Sequence, residues 1–133
     1  MSIFSAFFRT LAKQTFDYSS RTTRRWFYVF SAINLILFIV LLRSIIMASI
    51  KFSDGMGGFS TLDYVKIFLF IWCFLSTCAI TVRRLHDANE SGKLAWGLVN
   101  PLLTFKYMFA MGRAGTKGDN RFGNDPRESS WMQ

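Results

Sequence analysis

Two long apolar runs decide what this chain can fold into. One extends from about Trp26 to about Met47 and the other from about Leu62 to about Val82. At the helical rise of about 1.5 Å per residue, the second is about 31 Å long, which matches the hydrocarbon core of a bilayer. Composition agrees: of 133 residues, 51% are hydrophobic and 17% aromatic, with 15 Phe. That is too apolar for an ordinary soluble domain of this size. The net charge is +8, and the basic residues gather at the ends of the apolar runs. Such placement marks the cytoplasmic borders of a membrane protein rather than a nucleic-acid-binding face. No nucleic-acid partner is expected.

The expected fold is an all-α membrane protein. It is a small helical bundle with an N-terminal amphipathic helix, two full spans and a Pro-interrupted third segment. Three regions follow: 1–25, an interfacial helix and basic collar; 26–112, the transmembrane helical region; and 113–133, a polar, turn-rich tail. Near the N-terminus, Ile3, Phe4, Phe7, Phe8, Leu11 and Ala12 recur at helical spacing, with Arg9 and Lys13 one turn apart on the other face. This helix either lies in the membrane interface or packs on the other helices. Arg9 and Lys13 interrupt it too early for a cleavable leader. Trp26, Phe27 and Tyr28 then stand where an aromatic belt belongs.

The third run, Leu94 to Met111, is broken at Asn100-Pro101, where the missing donor and the proline ring stop or kink a helix. It either crosses as one kinked helix or enters and returns. The basic residues bear on this. Five precede the first span, three lie in the connector between the second and third runs, and four lie in the tail. A returning third segment puts all twelve on one side, against Arg43, Lys51 and Lys66 on the other. The rule that positive residues stay inside then makes the N-terminus and the connector cytoplasmic.

Inside the spans, the polar residues are Asn34, which needs a partner helix or its own backbone, and Lys106 in the third run. Cys73 and Cys78 lie five apart, pointing about 140° from each other on a helix. They can neither pair nor form a ligand set. No metal or cofactor is expected.

The densest polar stretch is Arg83-Arg84-Leu85-His86-Asp87-Ala88-Asn89-Glu90-Ser91-Gly92, which reads as a connector at the membrane surface. His86-Asp87 has the elements of an acid–base dyad, but the connector offers only Ser91 as a nearby hydroxyl. Structural roles compete. Asp87, Asn89 or Ser91 can cap the next helix. Arg83 and Arg84 can bind lipid phosphate or pair with Asp87 and Asp125. Asp87 and Arg121 are expected to meet, because a Gly- and Asn-rich tail orders only if its polar groups find fixed partners. The tail's Gly-Asp-Asn-Arg-Phe-Gly-Asn-Asp-Pro run is a compact-turn composition.

Three motifs carry a resemblance. They are Phe16 through Phe27 with its arginines, Arg83-Arg84-Leu85-His86-Asp87 followed by Ser91-Gly92, and Gly115 through Pro126. Together they resemble the DUF805 family of small, YhaH-like bacterial inner-membrane proteins, over residues 16 to 126. Ser20 stands where the family usually has glycine, and Lys93-Leu94 replaces its usual Trp pair. The resemblance implies a bacterial or phage inner-membrane setting and no activity.

The expected function is therefore a non-enzymatic, multi-pass inner-membrane protein. A basic face made of Arg21, Arg24, Arg25, Arg83, Arg84, His86, Asp87, Asn120, Arg121 and Asp125 would bind anionic lipid headgroups or a protein partner. The rivals are an oligomeric transport or channel component with Asn34 or Lys106 along a polar path, and a lipid-acting enzyme using His86 and Asp87.

Overall fold

The computed structural model describes residues 3–98 and 100–128. The last five residues of the expected tail lie outside that range. Four α-helices form: α1 (Ile3–Lys13), α2 (Arg24–Ser53), α3 (Thr61–Asp87) and α4 (Pro101–Gly112). A 3-10 segment, Gly92–Leu98, precedes α4.

Helices α2 and α3 form an antiparallel pair, and both are long and apolar enough to cross a membrane. Their 30 and 27 residues correspond to about 45 and 40 Å. Each therefore extends beyond the apolar run that seeds it. Local chemistry sets their limits. The Thr23 hydroxyl accepts the Trp26 amide at 3.3 Å and caps α2. Ser60 and Asp63 cap α3 reciprocally: each side chain takes the other's backbone N–H.

The connector proves much shorter than its composition suggests, because Arg83 to Asp87 are the last turn of α3. The helix then closes with two bonds, Asn89 N–H to the His86 carbonyl at 3.0 Å and Glu90 N–H to that of Leu85 at 2.9 Å. This is a Schellman closure with Asn89 at φ 59°, a left-handed position that asparagine tolerates. Ser91 starts the next element, its hydroxyl accepting the Lys93 amide.

At Asn100-Pro101 the chain turns back. Asn100 caps α4 through the Leu102 amide at 3.0 Å, and Pro101 takes a first-turn place where no N–H is needed. The 3-10 segment and α4 lie against each other. A Cβ on Gly97 would stand 2.5 Å from Tyr107 Cβ, so the hairpin closes only around a glycine there. Both ends of the hairpin return to the end of α3. Gly92 abuts Val82 and His86, and the Met111 carbonyl meets Arg84. With 12 residues, α4 reaches only about 18 Å, short of the roughly 30 Å a crossing needs.

Helix α1 packs on the other helices through one face. Ala6, Phe7 and Thr10 are buried, with the Phe7 ring 5.1 Å from Phe30. The Trp72 indole donates to the Leu11 carbonyl at 2.7 Å, and the Thr15 and Ser76 hydroxyls pair at 2.7 Å. Ile3, Phe4 and Phe8 face outward.

The core is Phe7, Phe27, Phe30, Ile80, Leu85, Leu94, Ala110 and Met111. All of it lies at the end of the bundle where α2 begins and α3 finishes, the collar end. Elsewhere the surface stays apolar: Leu35, Ile36 and Ile39 on α2, Phe68 on α3, and Leu102 and Phe105 on α4 are all exposed. Apolar surface left open on this scale is what lipid would cover.

Candidate functional site

At the collar end, three chain segments separated in sequence meet around Asp87. It sits in the last turn of α3 and is 3% exposed. Its Oδ1 accepts from Arg21 Nη2 at 3.0 Å and its Oδ2 from Arg84 Nη1 at 2.6 Å. Both guanidinium groups are buried as well. A buried carboxylate held by two arginines is satisfied in charge and in hydrogen bonds.

The remaining Nη donors of the two arginines go to the tail and to the end of α4. Arg21 Nη1 donates to the Gly118 and Gly123 carbonyls at 2.7 and 3.1 Å. Arg21 Nη2 also reaches the Thr116 carbonyl at 2.7 Å. Arg84 Nη2 donates to the carbonyls of Met111 and Arg113. The tail answers through Thr116, whose N–H and hydroxyl both donate to the Asp87 carbonyl, at 2.9 and 3.1 Å. Asn120 donates to the His86 carbonyl at 3.0 Å and to the Thr116 hydroxyl at 2.8 Å. Carbonyl-rich, glycine-rich backbone thus wraps two forked cations, the arrangement that arginine's planar fork favours. Gly115 lets it come so close: a Cβ there would overlap the Asp87 carboxylate, 1.9 Å from Oδ2.

The tail itself is a tight turn in which Asn120 and Gly123 exchange backbone bonds at 3.1 and 2.9 Å. Asp125 braces it, taking the Gly118 amide at 2.8 Å and Arg127 Nε at 2.8 Å. The Arg127 side chain, with the Arg127 and Gly118 amides, holds the Asp125 carboxyl well below the usual carboxylate range. At the other edge, Asp17 accepts from Ser19 and Ser20 in a four-bond turn. Partial burial pushes its carboxyl up, and these bonds outweigh that, so it too lies low.

The ten residues of the expected basic face therefore divide. Arg21, Arg84, Asp87, Asn120 and Asp125 form this internal assembly, and His86 adjoins it. Its ring stacks on Phe122 at 3.9 Å between centroids and 5° between planes. His86 and Asp87 take separate partners and form no imidazole–carboxylate pair. Arg121 does not meet Asp87. It donates to the Asn89 carbonyl at 2.9 Å and lies over Phe122 at 4.7 Å, because Arg21 and Arg84 already fill both carboxylate oxygens. Arg83 turns the other way. It is 1% exposed and donates to Gln14 Oε1 at 2.7 Å, tying α3 to the chain just after α1, out of reach of lipid phosphate.

Besides Arg121, Arg24 and Arg25 stay outward. They line a cleft of about 300 Å³ with Thr23, Asp87, Ala114, Gly115 and Arg127. Arg24 spends one donor on the Gly112 carbonyl at 3.0 Å. Of the two polar residues expected within the membrane, Asn34 bridges the long helices. Its Nδ2 donates to the Cys73 carbonyl at 3.1 Å and the Thr77 hydroxyl at 2.7 Å. Lys106 is exposed and pairs with Glu90 at 3.3 Å, which lies past the end of α3. Cys73 and Cys78 are both free thiols. Among the described residues, no three His, Cys, Asp or Glu side chains gather to hold a metal.

Residue-type reasoning passed over Gln14, Gly115, Thr116, Phe122 and Arg127. Gly115, Thr116 and Phe122 act through backbone proximity or stacking and carry no distinctive chemistry in isolation. All three, however, stand in the third motif.

Arg21, Arg84, Asp87 and Asn120 of this assembly lie within a stretch that matches a known family. The family model for a protein of unknown function, DUF805, matches residues 15–124. The chain belongs to the DUF805 family. It is similar to the inner membrane protein YhaI of Escherichia coli K12, 30% identical over 124 residues, which cover 91% of this chain and 95% of that protein. It is also similar to the inner membrane protein YhaH of the same strain, 29% identical over 116 residues, covering 86% and 91%. No solved structure matches. As a DUF805 member with two bilayer-length apolar helices, this is a membrane protein.

Proposed function

We propose that this DUF805 member is a non-enzymatic, multi-pass inner-membrane protein that binds the phosphate of anionic lipid headgroups at its collar end. The observation that carries this reading is the cleft framed by Arg24, Arg25 and Arg127. It stands at the N-terminus of the 30-residue helix α2, where the helix dipole adds to the cationic field. Arg21 and Arg84 hold the cleft's floor in place rather than touching lipid. Arg24 and Arg25 are the contact residues.

Orientation follows from charge. The hairpin return keeps the first linker, the end of α3 and the tail on one side, with twelve of the sixteen Lys and Arg residues. Arg43, Lys51 and Lys66 lie at the opposite end. The collar end is then cytoplasmic, facing the anionic leaflet surface. The 3-10/α4 hairpin dips into that leaflet and returns, the start of its 3-10 arm packed on α3.

Two experiments test this. Native mass spectrometry of protein released from phosphatidylglycerol nanodiscs should show retained lipid. Arg24→Gln with Arg25→Gln should weaken retention by about 1 kcal/mol per residue, and retention that neither the double variant nor 0.5 M salt reduces would remove the headgroup role. For orientation, single cysteines at Asn89 and Asn124, in a chain lacking Cys73 and Cys78, should both resist a membrane-impermeant thiol reagent in intact cells. Labelling of Asn124→Cys alone would show that the third segment crosses.

A further inference from the structure

At the end of the bundle opposite the collar, α2, α3 and the chain between them frame a cleft of about 430 Å³. Arg43 and Lys51 line it from α2 and Lys66 from α3, with Val40 and Met47 as apolar wall. Among the described residues, Asp63 is the only carboxylate that lines it. That carboxylate is already committed. Its Oδ1 accepts from Lys66 at 2.9 Å, and its Oδ2 accepts the Ser60 amide at 3.0 Å and the Ser60 hydroxyl at 2.7 Å. Among the described residues, the side chains of Arg43 and Lys51 have neither an ion pair nor a hydrogen bond. The cleft therefore holds two cations that nothing in the chain neutralises.

Arg43 is the residue that calls for an explanation. Counted from Trp26, which opens the apolar run, it stands about 26 Å along α2. The hydrocarbon core is about 30 Å thick, so the backbone of Arg43 lies within its edge. An ionised side chain at that depth is costly unless it pairs or faces a polar cavity. Its long stem can carry the charge outward, toward Lys51, which lies about 12 Å further along the same helix. The three cations thus border one cleft at the level where hydrocarbon gives way to headgroups.

We infer that this loop-end cleft binds a phosphate group, supplied by an anionic phospholipid of the adjoining leaflet or by free phosphate. Charge selects the class: two unpaired cations favour an anion and repel an ammonium group. Arg43 offers the planar fork that phosphate oxygens take up in pairs, and Lys51 and Lys66 add point charges. Depth favours the lipid source. A phosphate held by Arg43 would send its acyl chains over Val40, which is exposed on α2 one turn deeper in the bilayer. Gly57 and Gly58 leave room at the rim, where a Cβ on either would meet nothing within 4 Å. The volume lies within the range of small-molecule pockets. This cleft and the collar cleft lie at opposite ends of α2, so neither assignment depends on the other.

The test uses the full-length chain carrying Arg24→Gln and Arg25→Gln, which silence the collar cleft, in uncharged detergent. It is titrated with 1,2-dioctanoylphosphatidylglycerol, with 1,2-dioctanoylglycerol, which lacks the phosphate, and with sodium phosphate against sodium chloride of equal ionic strength. Native mass spectrometry and thermal shift read each titration. The phosphatidylglycerol should bind and raise the melting temperature, and the phosphate-free lipid should bind more weakly. Adding Arg43→Gln and Lys51→Gln should weaken binding about fivefold for each residue. Both side chains are exposed, so these changes break no buried contact. If the combined variant does not fold, Lys51→Gln alone, in the last turn of α2, should still weaken binding about fivefold.

Phosphatidylglycerol binding that depends on Arg43 and Lys51, with no response to sodium phosphate, would assign the lipid as the source. A response to sodium phosphate that the same variants remove would assign the free anion. Equal binding of the two lipids with no response to sodium phosphate would overturn the inference. Binding of any phosphate probe that the folded Arg43 and Lys51 variants leave unchanged would overturn it as well. The inference rests on α2 lying in the bilayer, which thiol labelling reads without any ligand.

Discussion

Two aspartates of α3 have a basic residue three positions away, and they could hardly behave more differently. At the loop end, Asp63 pairs with Lys66 at 2.9 Å, in a setting where the lysine side chain is 37% exposed. At the collar end, Asp87 pairs with Arg84 at 2.6 Å, both side chains nearly inaccessible, and with Arg21 from another segment. Sequence spacing is the same. What differs is how many chain segments converge. Among the described residues, the loop end has α2, α3 and the glycine-containing loop between them. At the collar end, the first linker, the end of α3, the hairpin's return and the tail all meet. Exposed pairs contribute little because water and salt compete for them. A buried pair contributes little net energy as a pair, yet removing one partner strands the other.

The comparison can be broken most directly by deleting each aspartate. Asp87→Ala leaves Arg21 and Arg84 buried without a counter-charge and should cost about 3–5 kcal/mol. Asp63→Ala loses an exposed pair and half of a capping box and should cost far less. Thermal unfolding in detergent measures both, and similar losses would end the distinction between the two ends.

A glycine pair gives a smaller contrast. Gly115→Ala drives a methyl into the Asp87 carboxylate and should cost about 1–3 kcal/mol as overpacking does. Gly58→Ala meets nothing within 4 Å and should stay within about 0.5 kcal/mol.

Acid sharpens the contrast within the collar. The folded-state carboxyls of Asp125 and Asp17 lie below their ordinary value. Such groups add stability above the unfolded value of about 4, and that stability disappears as pH falls through the lower folded value. The tail should therefore loosen as pH drops below about 4, read as lower amide protection factors, relative to intrinsic exchange at the same pH, at Gly118 and Arg127. In Asp125→Asn, exchange at Gly118 should already be faster at neutral pH and change less in acid. Equal acid sensitivity with and without Asp125 would remove it as the brace.

Much of this architecture is legible in the residues. Hydropathy over residues 26–47 and 62–82 marks both long helices, and Asn100-Pro101 marks the break that becomes a hairpin. Arg83 to Asp87 were harder to place. Four polar residues in a stretch of five read as a surface connector, because nothing local shows that Arg21 and the tail carbonyls will bury them. The expected Asp87–Arg121 contact failed for the same reason. Several arginines compete for one carboxylate, and only the fold decides that Arg21 and Arg84 win. Gly115 and Thr116 act through backbone closeness, which residue chemistry does not announce. The motifs nevertheless pointed at the right segments, since all three meet at Asp87.

Arg21 in the first linker and Asp87 at the end of α3 act as one unit that orders the tail. A double-mutant cycle with Arg21→Ala and Asp87→Ala, followed by unfolding in detergent, tests it most directly. Once either partner is gone, losing the other should cost far less, so the double variant should be less destabilised than the sum of the single variants by at least about 1 kcal/mol. Additive losses would contradict the claim and would leave the two residues as independent contributors at the collar.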